Sequence, residues 1–308
     1  MGGESFRPDP PADPYAHVSK RFYRAAYFQV ASTLARFLPR SLLRACGGWA
    51  GWCYGRLAAR RVERIAQNWK ILRPGWERKL AVAAYSEFGK VLADYFFLAG
   101  RSKKTALDLI EEKRGQDHLF PMVAQGKGIL LATLHMSFFE LGGLAVCELG
   151  LPVVVLTLPE PDPELTRWRA QYRKRWGMDT LEVGRDPFAF VAICNAWKKG
   201  KIVAALIDRP FGGPLVDVEL PGGTLCCAGS ILYLAYRCGV PIVPAVVVRS
   251  SSSRYRVEAY SPISLPEGLS ADQATRELAR ALFQVFRPVL LAYPSQWFAF
   301  ALQNRRQP

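Results

Sequence analysis

Along the chain, short uncharged runs alternate with longer segments whose apolar residues recur at helical spacing. Ile129 to Leu134, LPVVVLTL from Leu151, KIVAALI from Lys201 and Gly239 to Val248 have the length and composition of strands buried on both faces. Tyr255 to Tyr260 predicts a further strand, and LVDVEL from Leu215 alternates as an edge strand with Asp217 and Glu219 on one face. Helical spacing runs through Val62 to Leu98 with a break at Pro74-Gly75, from Glu140 to near Gly150, and through ELTRWRAQYRKRWG. It recurs over Phe188 to Lys199, Ala228 to Cys238 and Ala271 to Leu291. Thr105 to His118 is polar and reads as a short helix and strand edge. This alternation predicts an α/β fold, a mixed, mostly parallel central sheet flanked by helices on both faces.

The first sixty residues depart from that pattern. Residues 1–17, rich in Pro and charge, read as a flexible lead-in without a signal peptide. Residues 18–61 mix aromatic and apolar side chains with Arg24, Arg36, Arg40, Arg44 and Arg56, and no uninterrupted apolar run reaches the ~18 to 20 residues that span a bilayer. Two readings fit: an interfacial helical segment whose arginines snorkel to lipid phosphates, or an ordinary amphipathic helix packed on the main domain. That domain is expected over residues 62–308.

Net charge sharpens the picture. A formal charge of +15 predicts attraction to anionic partners, whether lipid headgroups or an acidic carrier protein. The basic residues are interleaved with aromatics instead of forming a nucleic-acid-binding motif, which argues against nucleic acid. The 7 cysteines are scattered without a C-x-x-C pair, so neither a zinc site nor a disulfide framework is expected; they read as small buried hydrophobes of a reducing compartment.

Candidate chemistry sits in GILLATLHMSFFELGG. His135 lies at the carboxyl end of the predicted strand, where open α/β sheets bind ligands, and Glu140 follows five positions on. On one continuous helix such residues are about 140° apart and do not meet. With His135 in the strand-to-helix turn and a helix starting near Ser137, the imidazole reaches the Glu140 carboxylate, a pairing suited to general-base chemistry. On spacing alone, a core histidine beside an unrelated surface glutamate is the favoured reading. Acidic and basic groups recur at the end of another strand, Asp208-Arg209, and the basic run containing Arg173 reads either as a solvated face or as a phosphate holder.

Taken in order, ARFLPRSLLR, RRVERIAQNWKILRP, the His135-x4-Glu140 spacing, LIDRP at Asp208, the G-x-P-I-V-P block from Gly239 and the terminal P-S-Q-W-F resemble the lipid A late acyltransferase family of the lysophospholipid acyltransferase superfamily. The resemblance covers about residues 20–302. It implies a membrane-associated acyltransferase on the cytoplasmic face of the bacterial inner membrane, peripheral or N-terminally anchored, with residues 62–308 as the acyltransferase domain. It implies an acyl thioester donor, on acyl carrier protein or coenzyme A, a lipid or glycolipid hydroxyl as acceptor, and no cofactor or metal. His135 is then the general base and Glu140 its orienting partner. Asp208, Arg209, Arg173, Phe138 and Phe139 are expected on the substrate side, with Arg209 as a candidate oxyanion cation and Asp217 as a second-choice partner for His135. Where the family usually reads H-x-G-N-W-E, this chain has Ser137 and Phe138 in place of Gly and Asn. Leu158 stands where the family has Arg, and the tail His after the Trp is absent. These departures point the acceptor reading toward a glycolipid, an aminolipid or a carrier-bound chain. A thioesterase and a non-catalytic lipid- or carrier-binding relative are the alternative functions.

Overall fold

The computed structural model describes residues 23–73, 75, 78–184, 188–209, 215–298 and 300. The lead-in at 1–17 and the loop at 211–214 lie outside them. Four helices come first, α1 (Ala25–Leu34), α2 (Arg40–Leu57), α3 (Ala59–Leu72) and α4 (Arg78–Ala99), followed by the short α5 (Lys103–Leu107). Then come β1 (Ile110–Arg114), α6 (Phe120–Ala124), β2 (Ile129–Thr133), α7 (Glu140–Glu148), β3 (Val153–Thr157), α8 (Pro163–Lys174), β4 (Met178–Glu182), α9 (Ala189–Lys198) and β5 (Ile202–Leu206). The chain continues through β6 (Leu215–Leu220), β7 (Gly223–Ala228), α10 (Gly229–Arg237), β8 (Ile242–Arg249), β9 (Tyr255–Ala259) and α11 (Ala271–Ala292).

Seven strands form one sheet in the order β1-β9-β8-β2-β5-β3-β4, parallel at every pairing except β8 with β9. Its central strands are apolar throughout because both faces are covered. Leu130, Ala132, Val203, Ala205, Val246 and Val248 join one core cluster with α10 and α11, while Ile129, Leu131, Ile202, Ala204, Val243 and Val247 join the other with α7 and α8. Successive side chains of a strand point to opposite faces, so burial on both sides leaves no room for a polar alternation.

LVDVEL does alternate, but as β6 it pairs with β7 in a separate two-stranded antiparallel sheet, with Asp217 on its exposed face. β4 (MDTLE) was not anticipated. It is the last strand of the sheet and half-exposed, which allows polar residues that hide the apolar signal of a strand.

The N-terminal helices pack on the rest of the chain. α2 packs on α4 backbone to backbone: a Cβ on Gly51 would stand 2.1 Å from the Tyr85 carbonyl oxygen, and one on Gly47 2.4 Å from that of Gly89. Fully buried Asp94 accepts from Arg40 at 2.8 Å, from Arg44 and from the Tyr255 hydroxyl. Arg40 and Arg44 therefore turn inward instead of snorkelling to phosphates, because a buried carboxylate needs cationic partners. The outward side of this region bears Phe37, Trp49 and Leu57, exposed by 81%, 69% and 86%, with Val30, Leu34 and Trp52 beside them. No helix among the described residues is long and apolar enough to cross a membrane. The cysteines also depart from expectation: Cys226 and Cys227 are buried, but Cys46 and Cys238 are exposed, and the Cys194 and Cys238 sulfurs lie 3.2 Å apart.

Candidate active site

Parallel pairing of β2 with β5 sets Thr133 opposite Leu206, and two further residues along each chain bring His135 beside Asp208. There the ladder ends and a side chain takes over. The Asp208 carboxylate accepts the His135 backbone N–H at 3.1 and 3.0 Å, the His135 Nδ1–H at 2.7 Å and the Trp297 Nε1–H at 2.8 Å. Asp208 is fully buried, whereas the His135 side chain is 22% exposed. Burial works against the Asp208 charge, but His135, Arg209 and the Trp297 N–H outweigh it and hold its carboxyl below the ordinary range. For His135, burial and then the Arg209 charge outweigh the attraction of Asp208, and its pKa falls below 6.5. That lowering favours the neutral imidazole. An ionised carboxylate only accepts, so Nδ1 carries the proton and Nε2 keeps its lone pair. Nε2 has no hydrogen-bond partner among the described residues.

The tail of the chain closes over this loop. Met136 bridges Trp297, the Ser137 N–H donates to the Gln296 carbonyl at 2.8 Å, and the Phe298 N–H donates to the His135 carbonyl at 2.8 Å. Gln296 is itself fixed by both amide atoms to the Arg249 backbone, at 2.7 and 2.9 Å. These contacts keep residues 136–138 out of the helix, so α7 begins at Glu140 and not near Ser137. Ser137 takes a left-handed backbone, φ 49°, which explains a glycine at this place in the motif.

The expected His135–Glu140 pair is corrected here. Glu140 is buried and held by Arg173, whose Nε lies 3.1 Å from both carboxylate oxygens and whose Nη2 donates at 2.9 Å. A two-pronged cation claims the carboxylate, and the imidazole takes Asp208 instead. Arg173, expected to face substrate, is 4% exposed and spent on this pair. Neighbouring Arg169 is likewise committed to Glu160. The His135 Nδ1 that Asp217 was expected to engage as second choice is taken by Asp208.

Arg209 is half-buried and donates to the Phe298 carbonyl. Phe138 is a core side chain, 2% exposed and packed near Tyr95, Trp176 and Tyr255. Phe139 stands edge-on to the imidazole, centroids 5.8 Å apart, and lines an apolar cavity of about 40 Å³ between α7 and the sheet, with Gly143, Val155 and Met178. Trp297, within the P-S-Q-W-F segment, joins the cluster through the indole N–H that it donates to Asp208.

The sequence pattern of the bacterial lipid A biosynthesis acyltransferases matches residues 16–306. The chain belongs to that family. It is also 23% identical over 308 residues to the lipid A biosynthesis acyltransferase of Haemophilus influenzae, covering 94% of this chain and 92% of that protein. In this acyltransferase, then, the motif histidine occupies the rim of a parallel sheet and its carboxylate partner comes from the neighbouring strand, 73 residues away.

Proposed function

We propose that this acyltransferase moves a fatty acyl group from a thioester, on acyl carrier protein or coenzyme A, to a hydroxyl of a lipid A precursor or related glycolipid. His135 Nε2 takes the acceptor's proton as its oxygen attacks the thioester carbonyl. The tetrahedral adduct collapses, the carbon–sulfur bond breaks, and the imidazolium returns its proton to the departing thiolate. Asp208 fixes the tautomer and stabilises the transient imidazolium. Arg209 and the first N–H groups of α7 supply positive potential for the oxyanion. The observation that carries this reading is a neutral, partly exposed imidazole with Nδ1 engaged and Nε2 open. Glu140 and Arg173 act at one remove, fixing the start of α7, and the cavity under α7 beside Phe139 is the proposed seat of part of the acyl chain.

The exposed apolar side of α1 and α2 is the proposed membrane contact, peripheral and on the cytoplasmic face of the inner membrane. Contiguous apolar surface of this kind marks an interaction site.

The direct test is transfer from a radiolabelled acyl thioester to a glycolipid acceptor. His135→Ala is expected to lower the rate by about 10³-fold or more with an unchanged melting temperature. Full activity of a folded His135→Ala protein would end the assignment.

A further inference from the structure

Around α1, three stripes follow one another. Ala25, Phe28 and Ser32 are buried; Gln29 and Thr33, with Arg36 just beyond, face sideways; Tyr27, Val30 and Leu34 are exposed. At about 100° per residue, the sideways stripe lies roughly a third of a turn from the exposed apolar one. It forms one wall of a groove of about 580 Å³ whose other wall is the α8 side, with Gln171, Tyr172, Lys174 and Arg175. A volume of 300–1,000 Å³ is ordinary for a small-ligand site.

The lining holds Arg36, Lys174 and Arg175 and no acidic residue; Lys174 is paired with Asp179 at 2.7 Å, and Arg175 donates to the Ala99 carbonyl. Arg101 sits beside it, donating to the Ala35 and Arg36 carbonyls, and the Arg36 charge together with burial depresses its pKa. Two polar side chains of the wall are unsatisfied. Ser32 Oγ and the Tyr172 hydroxyl have no hydrogen-bond partner among the described residues, although Ser32 is 8% and Tyr172 1% exposed. Buried hydroxyls without partners are uncommon, and here both belong to residues lining a cationic groove.

We propose that this groove is a binding site for the phosphodiester headgroup of an anionic phospholipid. The Arg36 and Arg175 guanidinium groups meet the phosphate charge, and the Ser32 hydroxyl of the α1 wall donates to one of its oxygens. The inference builds on the proposed membrane contact, because an apolar stripe resting on the bilayer would bring the adjacent groove to headgroup level. The site differs from the acceptor's reacting end, which lies at His135.

The test uses the full chain and dihexanoyl-phosphatidylglycerol below its micellar concentration, titrated by calorimetry, so that binding is read without a membrane. Arg36→Glu and the charge-neutral, groove-filling Gln171→Trp are each expected to weaken binding by about tenfold or more, the value of one charge-assisted phosphate contact. The charge-matched exposed variant Lys127→Glu should change it less than about twofold. Sedimentation with phosphatidylcholine vesicles reads the apolar stripe separately through Phe37→Ser. Undiminished sedimentation of Phe37→Ser with intact short-chain lipid binding would sink the membrane reading and leave the groove standing. No short-chain lipid binding, or binding indifferent to both groove variants, overturns the proposal. So do displacement by equimolar inorganic phosphate and Arg36-dependent binding of acyl carrier protein in place of lipid, which would reassign the groove to free phosphate or to the carrier.

Discussion

Asp208 and Glu140 are both buried carboxylates near the same sheet rim, and both are paired, yet their surroundings give them opposite chemical characters. Glu140 meets a permanent cation in a two-pronged contact, and both partners are almost fully buried. That pair leaves no basic nitrogen open. Asp208 meets an imidazole that is itself neutral and partly exposed, so the pair keeps one unspent basic nitrogen. The lesson is that reactivity here follows the partner and not the acid. In the proposed mechanism, the carboxylate next to arginine anchors the start of a helix, and the one next to histidine sets up proton transfer.

Substitutions can break this comparison. The largest expected effect after His135→Ala is that of Asp208→Asn, which keeps the shape but loses the charge that stabilises imidazolium. Its turnover should fall by about 10²-fold or more in single-turnover transfer assays. Glu140→Gln should move a different quantity. It leaves Arg173 as an uncompensated buried charge, so unfolding free energy in urea should drop by about 3–5 kcal/mol, while the rate per folded molecule falls far less than in Asp208→Asn. Equal losses of activity in the two variants would erase the distinction.

The pH profile sharpens it. His135 must be neutral to act as a base, and its pKa is lowered, so the acid limb of the rate should be centred below that of an ordinary imidazole. Arg209→Gln removes a positive charge that disfavours imidazolium. The acid limb should then move up toward pH 6.5, and an unmoved or downward-moving limb would show that Arg209 does not set the imidazole's proton affinity. The smallest effect is expected at Ser137, whose left-handed backbone and unpartnered buried hydroxyl both cost stability. Ser137→Gly should raise unfolding free energy by about 1 kcal/mol, read in the same urea titration.

Much of this architecture is legible in the residues. β2, β3, β5 and β8 show as apolar runs because a central parallel strand is buried on both faces. β1 and β4, at the two ends of the sheet, carry Glu, Lys, Arg or Asp and give no such signal. His135 stands out through its place at a strand end. Its partner does not, because choosing between Glu140 and Asp208 requires knowing that β2 and β5 are neighbours, a fact of tertiary assembly with no local trace. Proximity in sequence favoured the glutamate; the register of two strands decided for the aspartate. The resemblance to the lipid A acyltransferases held over most of the chain, since it rested on the order of many weak signals. The inward arginines of α2 were illegible for the same reason as Asp208. Their target, Asp94, lies on another helix, 50 and 54 residues away.

The clasp made by Trp297 and Phe298 has a consequence for biosynthesis. The imidazole, its carboxylate and the indole that steadies the carboxylate are separated by 73 and 89 residues, and the last of them is translated after every strand of the sheet. A nascent chain on the ribosome can build its sheet before the indole that completes the proposed proton-transfer centre has been made. In the proposed mechanism, competence to transfer acyl groups therefore follows the folding of every strand.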